Sequence, residues 1–186
     1  MKHLLKIIFL LSLFINIYFI FIKITLYKAK QNFTVPFLIK DVSKKDGVDF
    51  LMNRIRKENP KLLPKKYYLI NIWDIMCAPC IKEIPILDSL AYNIQRKDIG
   101  YIFLTENGNK IIFDLIKRKK IKVDNFVFMN DANDYISSVL KEKNVKNKSY
   151  PIQLIINKNG EIKYFDGGVI KTSNDTTLIN IINKLP

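Results

Sequence analysis

Two cysteines three residues apart, set between an apolar run and a helical pattern, constrain this chain more than any other feature. Cys77 and Cys80 are the only cysteines in the 186 residues. The apolar run of residues 67–72 ends just before them and predicts a strand buried on both faces. A helix that follows such a strand begins with unpaired N–H groups and partial positive charge, which stabilise a thiolate. Three alternatives remain for the pair at this point: redox chemistry, a plain structural disulfide, or two buried thiols.

The composition excludes several other functions. The chain carries 31 basic and 17 acidic residues, for a net charge of +14. In the folded domain lysines and acids are interleaved, without an arginine-rich patch or an aromatic–basic motif, so no nucleic-acid partner is predicted. The one histidine, His3, lies in the N-terminal segment. A structural zinc site needs four Cys or His ligands, so we expect neither a metal nor another cofactor.

The N-terminal segment has the composition of a membrane anchor. Residues 7–22 carry no charge, and residues 24–27 extend the apolar run past Lys23. At about 1.5 Å per residue this run is slightly short of a hydrocarbon core of about 30 Å, and flanking lysines can snorkel to lengthen it. A cleaved signal peptide is the alternative, but no small-x-small cleavage site follows the run. The sequence therefore predicts an uncleaved anchor over residues 1–30, in the membrane through residues 7–27, and one folded domain over residues 31–186.

Apolar periodicity in the folded domain predicts a leader helix and then the order β-α-β-α-β-α-β-β-α. The early strands are joined through helices and should be parallel, whereas the last two, joined at Asn159-Gly160, should form an antiparallel hairpin. The predicted helices are residues 47–58, a helix directly after the cysteines that contains Pro85, and residues 110–120, 133–143 and 176–184. The predicted strands are residues 67–73, 100–105, 125–129, 152–157 and 161–165.

Two separated motifs resemble the thioredoxin-like superfamily and, more narrowly, its membrane-anchored TlpA/ResA-type thiol–disulfide oxidoreductases. The first motif, in residues 71–87, consists of Asn71, Trp73, Cys77-Ala78-Pro79-Cys80, Glu83, Pro85 and Leu87. The second, in residues 150–162, begins with Tyr150-Pro151 and resembles the cis-proline strand and following hairpin of that family. The resemblance implies an α/β, thioredoxin-like fold with a central mixed sheet flanked by helices, preceded by an N-terminal transmembrane helix.

The resemblance also implies roles for the residues of the first motif. Cys77 is the expected attacking cysteine and Cys80 the resolving one, so that the two form the redox disulfide. The position of each cysteine relative to the helix start favours the same assignment, since Cys80 would be shielded one turn inside. Glu83 is expected to pass protons as Cys80 enters or leaves the disulfide. A solvated helix residue paired with a lysine is the alternative for Glu83.

Four further residues are expected to line the substrate groove. They are Trp73, Met76, Tyr150 and Pro151, of which Pro151 should be cis and lie beside the disulfide. An ordinary core aromatic is the alternative for Trp73. Met76 and Tyr150 depart from the family pattern, which usually has Trp and often Thr at these positions.

The function implied by the resemblance is that of an extracytoplasmic (periplasmic) thiol–disulfide oxidoreductase active in cell redox homeostasis. It would reduce disulfides of exported proteins, such as apocytochrome c during cytochrome c maturation, through a mixed disulfide. A membrane thiol carrier would supply its electrons. The alternative is a non-catalytic peptide-binding module of the same fold at the membrane, for which the departures at Met76 and Tyr150 are the reason.

Overall fold

The structure, a computed structural model, describes Tyr18 and residues 44–62, 65–145 and 149–186. The chain divides into two compact units, Met1–Val35 and Pro36–Pro186, and Tyr18 is the only described residue of the first. Tyr18 apart, the anchor predicted at residues 7–27 lies outside the described residues, as does the predicted boundary after residue 30. Among the helices that the structure describes, none is both long and apolar enough to cross a bilayer.

Within the described residues, helices and strands follow one another in the predicted order. The helices are α1 (Lys44–Glu58), α2 (Ala78–Ile94), α3 (Asn109–Lys119), α4 (Asn133–Glu142) and α5 (Thr176–Asn183), with a short 3-10 turn at Pro60–Leu62. The strands are β1 (Tyr67–Ile72), β2 (Ile99–Leu104), β3 (Val127–Met129), β4 (Ile152–Asn157) and β5 (Ile162–Asp166). Helix α2 runs without interruption through Pro85.

The third strand is shorter than predicted because a buried carboxylate takes its first N–H groups. The carboxylate of Asp88 on α2 accepts hydrogen bonds from the backbone N–H groups of Asp124, Asn125 and Phe126, at 3.1, 2.8 and 3.1 Å. These residues therefore form a loop that caps the side of α2, and ladder pairing begins only at Val127.

The strands form one mixed sheet in the order β3-β2-β1-β4-β5. β1 pairs in parallel with β2, and β2 with β3, whereas β4 is antiparallel to both β1 and β5. The parallel early strands and the antiparallel final hairpin are therefore confirmed. This arrangement also confirms the predicted α/β fold, with its central mixed sheet between helices.

Alternation along the strands divides the core between the two faces of the sheet. Side chains such as Leu69 and Phe103 pack on one face with α2, α3 and α5. Their neighbours in sequence, such as Ile70 and Ile102, pack on the other face with α1 and α4. Asn71 follows the alternation of Leu69, so its side chain belongs to the face that α2 covers.

The hairpin between β4 and β5 turns at the predicted glycine. Gly160 has a φ of +77°, a conformation that favours glycine over residues with a side chain. A Cβ atom at this position would also overlap the side chain of Val48 on α1. The turn is thereby fixed both by its backbone conformation and by the close approach of α1.

Candidate active site

The cysteines lie beyond the C-terminal ends of the parallel strands. β1 ends at Ile72, whose register partner on the antiparallel strand β4 is Ile152. Two segments therefore lie at the same end of the strands: the loop that leads to the cysteines, and the Tyr150–Pro151 peptide that precedes β4. The peptide bond between Tyr150 and Pro151 is cis, as predicted.

Backbone hydrogen bonds hold the loop between β1 and α2. The N–H of Trp73 donates to the carbonyl of Leu104 at 3.0 Å, which continues the ladder between β1 and β2. Asp74 then accepts twice, from the N–H of Met76 at its Oδ1 (2.7 Å) and from the N–H of Cys77 at its carbonyl (3.0 Å).

One side chain from a distant part of the sequence also holds this loop. Asn107, in the segment after β2, accepts the N–H of Ile75 at its Oδ1, at 3.1 Å. The same Oδ1 atom accepts the hydroxyl of the buried Thr105 at 2.9 Å, which fixes the orientation of the amide. The segment after β2 thus positions the residues that lead into the cysteines.

The two cysteines form a disulfide at the first turn of α2. The S–S distance is 1.99 Å and the Cα atoms are 5.3 Å apart. Cys77 is the N-cap of the helix, with extended backbone dihedrals, and its Sγ accepts the N–H of Cys80 at 3.2 Å. Pro79, within the first turn, has no N–H to leave unpaired.

The two cysteines differ in exposure. Cys80 is completely buried and belongs to the core cluster under α2, whereas Cys77 is only partly buried at the helix start. A partner approaching from solvent therefore meets Cys77 first. Because an N–H at the helix start already points at Cys77 Sγ, a negative charge on this sulfur would be stabilised there.

Glu83 lies one helical turn beyond Cys80 and has no exposed surface, which overturns the alternative of a solvated helix residue. Its Oε1 accepts hydrogen bonds from the side-chain amide of Gln153 at 2.8 Å and from the backbone N–H of Ile170 at 2.6 Å. Its Oε2 accepts a longer bond from the side-chain amide of Asn71, at 3.4 Å.

Burial and these donors act on the acidity of Glu83 in opposite directions. Burial raises the pKa of Glu83, and the N–H groups of Ile170, Asn71 and Gln153 lower it by a smaller amount. The net effect raises the pKa of Glu83 from its ordinary value of 4.5 to about 7. A carboxyl group with such a pKa can give or take a proton near neutral pH.

The residues predicted to line the groove fall into two groups. Met76 is 70% exposed beside Cys77, and Tyr150 is partly exposed at the start of β4. Burial raises the pKa of Tyr150, and the negative charge of Asp74 raises it further. Both side chains therefore have surface that solvent reaches.

Pro151 and Trp73 are buried instead. The ring of Trp73 packs edge-to-face against Phe128, with a centroid distance of 5.9 Å. This is the environment of a core aromatic, the alternative stated for Trp73. Ile75 and Cys77 of the cysteine loop pack against the buried cluster to which Trp73 belongs.

The sequence did not identify three contributors to this site: Asn107, Gln153 and the N–H of Ile170. Gln153 had a usable signal, because a Gln inside the apolar run of β4 must find a polar partner when both faces are buried. Asn107 stands in an ordinary turn sequence, and Ile170 contributes only its backbone N–H. The sequence therefore gave no signal that could have predicted either contribution. Among the described residues, no group of three or more His, Cys, Asp or Glu side chains could hold a metal ion.

Comparisons with known proteins gave matches among solved structures only, since no family model and no curated protein matches the chain. StoA from Bacillus subtilis is 21% identical, with 64% of this chain and 86% of that chain covered and a TM-score of 0.46. The pneumococcal exposed lipoprotein thioredoxin Etrx1 from Streptococcus pneumoniae is 19% identical, with 62% and 84% covered and a TM-score of 0.45. A thiol:disulfide interchange protein of the thioredoxin family from Chlorobium tepidum is 16% identical, with 61% and 77% covered and a TM-score of 0.48. At such low similarity, the function has to be inferred from the site itself.

Proposed function

We propose that this chain is a thiol–disulfide oxidoreductase that reduces disulfides in other proteins through Cys77 and Cys80. The observation that carries the proposal is the asymmetry of the pair. Cys77 is partly exposed at a helix N-terminus and its sulfur accepts an N–H, whereas Cys80 is completely buried one turn inside. An inert structural disulfide has no need of this difference, whereas an exchange reaction needs one sulfur to attack and one to resolve.

In the first step the reduced enzyme forms a mixed disulfide. The Cys77 thiolate attacks one sulfur of the substrate disulfide, so that a Cys77–substrate S–S bond forms and the substrate S–S bond breaks. The second substrate sulfur leaves as a thiolate and takes a proton from solvent. The helix N-terminus favours Cys77 as the attacking group because it stabilises the thiolate before the attack.

In the second step Cys80 resolves the mixed disulfide. The Cys80 thiol loses its proton to the Glu83 carboxylate, and its sulfur attacks Cys77 Sγ. The intramolecular disulfide forms and the bond between Cys77 and the substrate breaks, so that the substrate sulfur leaves as a thiolate and takes a proton from solvent. The substrate has then gained two electrons from the cysteine pair. The raised pKa of Glu83 supports this role, because a carboxylate with its ordinary pKa would be a much weaker base toward a buried thiol.

We further propose where the reaction occurs and with which partners. The charge-free run at residues 7–22 supports attachment to a membrane, with the folded domain on the extracytoplasmic side. The substrates would be cysteine-containing exported proteins, and a membrane dithiol carrier would return the pair to its reduced form. Apocytochrome c is the substrate that the family resemblance suggests. The exposed Met76, the partly exposed Tyr150 and the backbone of the segment that enters β4 at Pro151 are proposed to contact the substrate beside Cys77.

A redox titration against dithiol buffers tests the proposal. The wild type should interconvert reversibly between dithiol and disulfide, and the purified dithiol form should reduce an oxidised Cys-X-X-Cys-His peptide of apocytochrome c. Cys77→Ser should abolish both. A pair that never reduces, or that reduces without reacting with any protein disulfide, would leave the non-catalytic binding module as the better description.

A further inference from the structure

Two amide oxygens beside Glu83 have no hydrogen-bond partner in the part of the chain that the structure describes. They are Oδ1 of Asn71 and Oε1 of Gln153, on side chains that are 1% and 0% exposed. The two residues are register partners on β1 and β4, so their side chains leave the same face of the sheet side by side. Each amide donates its N–H to Glu83 and leaves its oxygen unpaired.

The two oxygens of Glu83 are not equivalent. Oε1 accepts two short hydrogen bonds, from Gln153 at 2.8 Å and from the N–H of Ile170 at 2.6 Å. Oε2 accepts only the 3.4 Å bond from Asn71. A proton that binds the carboxylate therefore goes to Oε2, because Oε1 already faces two donors. Once it is there, the amide N–H of Asn71 faces an O–H, and two donors oppose each other.

We propose that Asn71 is a positioning residue whose side-chain amide turns over when Glu83 changes protonation, donating N–H to the carboxylate and accepting O–H from the acid. Half a turn about the Cβ–Cγ bond exchanges Nδ2 and Oδ1, so the unpaired oxygen takes the place of the donor. Gln153 keeps its orientation, since its oxygen would be repelled by an Oε1 atom that still accepts from Ile170.

The surroundings of Glu83 leave Asn71 as the group that responds. Asn71 faces it from β1, Gln153 from β4, and the N–H of Ile170 from the segment after β5. On its own helix, Cys80 lies one turn away and gains a titratable thiol when the disulfide is reduced. Among the described residues, no charged side chain contributes to the raised pKa of Glu83.

The turnover bears on the resolving step and in that respect rests on the proposed function. When Cys80 transfers its proton to Glu83, the new O–H finds an acceptor only if Asn71 has turned. A buried donor without an acceptor costs the desolvation free energy of that group. Asn71 thus favours both protonation states of Glu83, which keeps the proton transferable in either direction.

Nuclear magnetic resonance of the full chain in mild detergent observes the turnover directly. The Asn71 carbonyl carbon should move downfield as pH falls through the titration midpoint of the Glu83 carboxyl carbon, because its oxygen gains a donor. The Gln153 carbonyl carbon should move much less. Asn125, whose amide donates to the Asp88 carboxylate away from the cysteines, is the control and should not follow that midpoint. Equal movement of Asn71 and Gln153, or none in Asn71, would overturn the proposal.

A matched pair of variants tests the consequence for the chemistry. Thr and Val have the same shape, but the Thr hydroxyl can both donate and accept, whereas Val can do neither. A mixed disulfide between Cys77 and thionitrobenzoate should be resolved by Cys80 about tenfold more slowly in Asn71→Val than in Asn71→Thr, with a changed pH profile. The same rate and profile in both variants would contradict the role of Asn71. Failure of the wild type to resolve the mixed disulfide would instead contradict the proposed function.

Discussion

Replacement of the buried carboxyl group should remove a specific part of the pH dependence of stability. In Glu83→Gln the side chain keeps its shape and an acceptor oxygen for the two short hydrogen bonds, but it cannot ionise. The wild-type carboxyl binds its proton more tightly in the folded protein than in the unfolded chain, because burial raises its pKa. Its contribution to stability is therefore fully present below about pH 4.5 and is lost as pH rises to about 7.

The magnitude follows from the two pKa values. A pKa difference of one corresponds to about 1.36 kcal/mol. The rise of the Glu83 pKa from 4.5 to about 7 therefore corresponds to about 3 kcal/mol at most. This is a large fraction of the 5–15 kcal/mol that is typical of a folded domain. The wild type should thus lose about 3 kcal/mol relative to Glu83→Gln between about pH 4 and about pH 8.

Urea unfolding of both proteins across this pH range measures the difference. The disulfide form is the one to use, because Cys77 and Cys80 do not titrate in it. Glu58→Gln is a useful control, since the hydrogen bond from Arg54 lowers the pKa of Glu58 and gives the opposite sign. A difference between the wild type and Glu83→Gln that stays constant with pH would refute the assignment of a raised pKa to Glu83.

Three further changes have defined outcomes. Cys80→Ser should accumulate the mixed disulfide on Cys77. Mass spectrometry detects it as a covalent adduct that a thiol reductant releases. The absence of an adduct would contradict attack by Cys77 and resolution by Cys80. Asn107→Ala removes the acceptor for the N–H of Ile75, so the loop should hold Cys77 less firmly at the helix start, and the alkylation rate of Cys77 in the reduced protein at neutral pH should fall. An unchanged alkylation rate would contradict a role of Asn107 in positioning the cysteine. Gly160→Ala should lower the free energy of unfolding by about 2 kcal/mol or more, through backbone strain and overlap with Val48; a neutral effect would contradict the described turn.

The order of the helices and strands could be predicted because the sequence pattern that indicates each element is local. Uninterrupted apolar runs indicated strands buried on both faces, and the period of the apolar residues after Cys80 indicated α2. The order of elements and the antiparallel hairpin followed from these patterns and from Gly160. The start of β3 could not be predicted, since it depends on Asp88, 36 residues before Asp124 in sequence, which takes N–H groups that a strand would have used.

The site divides in the same way between local and long-range signals. The strand–Cys-X-X-Cys–helix sequence located the cysteines, and the second motif predicted the cis peptide bond at Pro151. The environment of Glu83 could not be predicted from the sequence, because its hydrogen-bond donors come from positions 12, 70 and 87 residues away. A residue in the second turn of a helix gives no sign in itself of whether it faces solvent or the sheet.

The cost of Glu83 is the strongest physical reason to assign it a part in proton transfer. Three N–H groups point at its carboxylate, and burial still raises its pKa to about 7. A Gln at this position would fill the same space, accept the two short bonds and cost nothing on ionisation. The fold would thus be more stable at neutral pH without the acid. What the acid adds is a group that changes charge near neutral pH, one helical turn from the buried Cys80, which in the proposed mechanism loses and regains a proton. A titrating group explains both the placement of the carboxyl and the amide oxygen of Asn71 that is left without a donor beside it.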